Sequence, residues 1–168
     1  QEERFQELLV EKANEMLIKY PCESNTAYEQ EVTLVAEKCK NYLIKMHEEF
    51  SKPENLWKVL GCEVSFYDTF VYYTKEGRCD EKTPNLLKLC LKGVIDRLDY
   101  YQDENSITHY RVIDYKSGRR NAYDKRFHLQ QIVYALAVEI SQKEIGENPI
   151  VDEVCVVHFF EEEEKELI

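Results

Sequence analysis

The spacing of apolar residues along the chain predicts two helices before anything else. In residues 3–20, Phe5, Leu8, Leu9, Met16, Leu17 and Tyr20 recur at helical intervals. Pro21 and the polar run that follows it break the pattern. A second helix is expected over 27–50, where Tyr28, Val32, Val35, Cys39, Tyr42 and Met46 step by alternating fours and threes. That spacing draws one apolar stripe, whose expected purpose is core packing. Pro53 closes the region.

From Trp57 the period drops to two. Leu60, Cys62, Val64 and Phe66 alternate with Gly61, Glu63 and Ser65, as in a half-buried strand. A further strand is expected at 69–74, and the Gly-, Asp-, Pro- and Asn-containing run 77–85 reads as a loop. Two more strands, near 87–101 and 107–116, are joined by the polar link 102–106, the signature of an antiparallel hairpin. Residues 126–143 predict a helix with Leu129, Val133, Leu136 and Ile140 on its buried face. A last strand at 151–160 precedes an acidic tail. Helix, helix, about four strands, helix and strand together imply an α/β or α+β layer with a mixed sheet flanked by helices.

Composition narrows this picture only in part. A chain of 168 residues, 43% hydrophobic, suits one domain with a real core. Its expected organisation is a helical part at 1–52 and a core at 57–160. No apolar run approaches the roughly 18 residues of a membrane span, so no membrane partner is expected. The six cysteines form no CxxC pair and read as free thiols of a cytoplasmic protein. A net charge of −11 argues against a generic nucleic-acid binder held by phosphate contacts alone. The charge is uneven, however: residues 111–126 hold six basic and two acidic side chains, while Glu161 to Glu164 are four consecutive acids.

The chemistry concentrates in LKGVIDRLDYY (91–101) and YRVIDYKSGRR (110–120), each with an acid inside an apolar strand. An ionised carboxylate there needs a cation or a partner. Asp114 and Lys116 share one strand face, their Cα atoms about 6.6 Å apart. A metal between Asp96 and Asp114 would leave Lys116 aimed at the same space. Hard carboxylate oxygens suit Mg²⁺, and such a group suits phosphodiester hydrolysis. The bland alternatives are an Asp96 ion pair with Arg97 or Arg111, an exposed edge-strand face for Asp114 and Lys116, and ordinary surface or core-edge places for Gln130 and Tyr134.

GVIDRLD, VIDYKSG and LQQIVYALA, in that order, resemble the PD-(D/E)XK nucleases of the RecB/AddB kind over residues 57–160. The resemblance implies a restriction-endonuclease-like α/β fold. It also implies Mg²⁺ or Mn²⁺ held by Asp96, Asp114 and the Tyr115 backbone carbonyl, with Lys116, Gln130 and Tyr134 completing the catalytic group. Glu63, in LGCEVSF, matches an acid that precedes the first motif; it could face the site or be solvated. Arg119 and Arg120 are expected to hold DNA phosphates.

Two departures matter. The family's early histidine is missing, since His47 lacks its context and reads as a surface residue. A chain starting at Gln1 rather than Met is expected to be a piece of a longer protein, with that histidine upstream. The cysteine pattern of iron–sulfur relatives is also missing, so no cluster is expected. The implied function is a DNA exonuclease acting on single strands or ends, from a bacterial repair or recombination protein. Its implied partner is a helicase subunit or a helicase-like region of the same chain. The rival is a non-catalytic DNA-binding or scaffolding domain with the same fold.

Overall fold

The computed structural model describes residues 2–19, 21, 24–116, 125–141, 149–158 and 165–167. Two compact units emerge, Gln1–Lys52 and Pro53–Ile168. In the first, α1 (Glu2–Lys19) and α2 (Asn25–Phe50) occupy the two stretches with helical spacing. Ser24 caps α2, its hydroxyl accepting from the Ala27 amide at 3.3 Å and so satisfying one of the amides a helix start leaves open. The Tyr28 hydroxyl donates to the Ala13 carbonyl, tying the two helices together. The α2 stripe is only half-buried, with Val35 exposed and the neighbouring Ala36 buried. No helix among the described residues is long and apolar enough to cross a membrane.

The second unit is a six-stranded sheet of order β2-β1-β3-β4-β5-β6. Its strands are β1 (Lys58–Thr74), β2 (Gly77–Arg78), β3 (Leu87–Gln102), β4 (Thr108–Lys116), β5 (Ile150–His158) and β6 (Lys165–Leu167). The helix α3 (Lys125–Ser141) packs against β1, β3, β4 and β5. All pairings are antiparallel except β4 with β5. Parallel neighbours need a long crossover, and α3 lies within it. The result is the expected α/β architecture with a mixed central sheet.

Three expectations change. The two strands expected between 57 and 74 are one strand, β1, with register shifts between Val59 and Gly61 and between Phe66 and Thr69. Glu63 and Asp68 have φ of 51° and 49°, which breaks strict alternation, and Leu60 and Cys62 are consequently exposed. The expected loop at 77–85 starts with the two strand residues of β2, paired to Tyr73 and Thr74. The tail after β5 carries an unexpected strand, β6, on Cys155–Val157.

The core gathers Phe66, Ile95, Leu98, Tyr110, Val112 and Val154 of the sheet with Tyr134, Ala137 and Val138 of α3. Each large side chain so enclosed contributes about 1.5–3 kcal/mol. Leu129 is therefore not on the buried face, being 61% exposed. Helix α3 is apolar almost all round between Ile132 and Ile140, so spacing alone could not select the side that packs. Phe66 lies against Gly93, where an added Cβ would meet its Cζ at 2.8 Å. The ring then meets Tyr134 edge-on, with centroids 6.0 Å apart.

Candidate active site

The hairpin ladder between β3 and β4 ends at Arg97↔Ile113. One step further along the same register lie Asp96 and Asp114, where the strands part. The Asp96 carboxylate accepts the Tyr115 backbone N–H at 2.7 Å, taking over a donor the ladder no longer uses. Asp114, the next residue back, is 1% exposed.

Asp114 is surrounded by donors. Lys116 Nζ lies 2.7 Å from its Oδ2 and 3.0 Å from its Oδ1. Gln130 Nε2 reaches Oδ1 at 3.4 Å while its Oε1 accepts from Lys116 at 3.2 Å. The same Nε2 donates to the Tyr134 hydroxyl at 2.7 Å. Gln131, which sequence reasoning missed, donates to Oδ2 at 3.3 Å. The doubled glutamine in LQQ is its only signal. The fold thus brings Asp114, Lys116, Gln130 and Tyr134 into one hydrogen-bonded group, with Asp96 beside it through the Tyr115 amide. This compensates a carboxylate that burial would otherwise penalise heavily.

Glu63 falls opposite Asp96, between the pairs Cys62↔Arg97 and Val64↔Ile95. Its left-handed backbone accompanies an exposed side chain, and it makes no hydrogen bond or ion pair to the group among the described residues. His47 is exposed on α2. Arg119 and Arg120 lie outside the described residues.

The arginines once paired with Asp96 as an alternative go elsewhere. Asp99, fully buried, takes Arg97 through Nε at 2.7 Å and Nη2 at 2.8 Å, and Arg111 through Nε at 3.1 Å and Nη2 at 2.8 Å. Burial pulls the Arg97 pKa down, but the Asp99 contacts and Tyr115 outweigh it and raise it above its ordinary value. Arg111 also stacks its guanidinium 4.8 Å from the Trp57 ring centroid.

A family model for the PD-(D/E)XK nuclease superfamily matches residues 1–165. The chain belongs to that superfamily. No curated protein matches the chain. PD-(D/E)XK nucleases generically hydrolyse phosphodiesters in DNA with divalent metal ions. In this member the residues fit such an ion by donor chemistry: two hard carboxylates on adjacent strands, at the point where the ladder opens. Among the described residues no group of three or more His, Cys, Asp or Glu side chains is placed to hold a metal ion.

Proposed function

We propose that this PD-(D/E)XK domain is a metal-dependent deoxyribonuclease of the RecB/AddB type, an exonuclease acting on single strands or ends. The observation that carries the reading is the buried Asp114 bound at once by Lys116 and Gln130, beside Asp96. Asp96, Asp114 and the Tyr115 carbonyl would hold Mg²⁺ or Mn²⁺. When bound, the ion supplies Lewis acidity at the scissile phosphate. Lys116 orients the attacking water and offsets negative charge that develops on the phosphate. Gln130 and Tyr134 keep the lysine and Asp114 in place. Arg119 and Arg120 hold backbone phosphates. The reading extends to a bacterial, cytoplasmic repair or recombination protein without an iron–sulfur cluster, whose DNA is delivered by a helicase subunit or helicase-like region.

A non-catalytic DNA-binding scaffold is the second reading. It is favoured by the absence, among the described residues, of a third acidic or imidazole ligand beside the two carboxylates. Calorimetric titration of Mn²⁺ into wild type and Asp114→Ala, with single-stranded DNA cleavage followed in parallel, separates the two. Saturable binding that the substitution abolishes, together with cleavage, is expected of the nuclease. Identical traces for both proteins would leave the scaffold.

A further inference from the structure

We propose that Gln131 is a positioning residue that fixes the plane of the Asp114 carboxylate; the inference rests on the nuclease reading of that carboxylate. Gln131 is 1% exposed and follows Gln130 directly on α3. Each oxygen of Asp114 receives the lysine ammonium and one glutamine amide: Lys116 and Gln130 at Oδ1, Lys116 and Gln131 at Oδ2. The lysine ammonium touches both oxygens, so the two glutamine amides are the contacts that tell Oδ1 from Oδ2. Removing the Gln131 contact frees one oxygen to turn.

The glutamine does not satisfy itself in doing this. Its Oε1 is buried and has no hydrogen-bond partner among the described residues. Turning the amide over would set its oxygen against Asp114 Oδ2, two acceptors face to face. The side chain therefore stands in the orientation that serves Asp114, with its own acceptor left over. An apolar residue would pack beside Tyr134, Ala137 and Val138 without that cost. The burial of an amide at this position is thus accounted for by its contact with Asp114. Ligating carboxylates depend on such partners, whose loss typically weakens metal binding or activity about 10–100-fold.

The test replaces Gln131 by Met, which has similar length and no donor, and reads Mn²⁺ affinity by calorimetry alongside the thermal midpoint. A dissociation constant weaker by about 10-fold or more is expected. Val71→Ala, a core truncation on the part of β1 paired with Leu89, should lower the midpoint and leave that constant unchanged. An unchanged constant in Gln131→Met would overturn the assignment. Should Gln131→Met not fold, exchange of the Gln131 side-chain amide protons in wild type decides the matter by NMR. Slow exchange that becomes fast in Asp114→Ala is expected, and fast exchange in wild type would overturn it. Wild type that takes up no Mn²⁺ would instead sink the nuclease reading, and the amide exchange would still decide the contact.

Discussion

Asp99→Ala should destabilise the sheet unit by about 3–5 kcal/mol, because it removes the carboxylate that two buried guanidinium groups share. In the wild type both arginine side chains are 3% exposed, and four N–H donors converge on one carboxylate at 2.7–3.1 Å. Neither arginine can escape by losing its proton, since a guanidinium stays charged in proteins. Arg111 keeps partial compensation from Trp57 and from Glu153 Oε2 at 3.9 Å, which sets the lower end of the range. For a unit of this size the loss corresponds to a drop of about 10–20 °C in thermal midpoint. Circular dichroism melts and urea titrations measure it. Asp96→Ala serves as the reference: that half-buried side chain gives up one hydrogen bond, worth about 1 kcal/mol. Equal losses for the two substitutions would refute the buried-triad reasoning.

Gly93→Ala should cost about 1–3 kcal/mol in urea denaturation, because the new methyl collides with the Phe66 ring and pushes it toward Tyr134. Tyr110→Phe should be neutral or stabilising by about 1 kcal/mol in the same assay, since its buried hydroxyl has no partner among the described residues. Ile107, then Asn105, donate backbone N–H groups to Asp103 and hold its carboxyl below the usual range. With the folded pKa depressed, this contribution is full above the ordinary value of about 3.9 and fades as pH falls through the lowered one. NMR titration of the Ile107 amide should show its inflection below pH ~3.9, and an inflection above that would contradict the assignment.

The long elements were legible because their patterns were long. The 87–101 and 107–116 strands and their short polar link predict the β3–β4 hairpin, and the three motifs place Asp96, Asp114, Lys116, Gln130 and Tyr134 on elements the fold brings together. What escaped was decided by pairing. β2 and β6 have two and three residues, too few for periodicity to register, and depend on a neighbouring strand. The parity of β1 failed where Glu63 and Asp68 take left-handed backbones. The side of α3 that packs was hidden by its uniform apolarity, and so Gln131 was missed with it. The choice of Asp99 over Asp96 as arginine partner follows from register, since Asp99 stands opposite Arg111.

The parallel neighbour of β4 also sets an order of assembly. Asp96 and Asp114 ride on a hairpin with a short link, the kind of local contact that forms early. At that stage two carboxylates sit on adjacent strands with Lys116 as the nearby cation, and like charges so placed repel. Gln130 and Gln131 arrive only once α3 docks and β5 takes its place beside Asp114 and Tyr115. The site needs contacts of β4 with α3 and β5 that are less local than the hairpin, so a cation held there, as proposed, would bind the finished fold alone. Such a ligand would shift the balance between nearly complete and complete folds in proportion to its concentration, so its uptake would double as a reporter of α3 and β5 having docked.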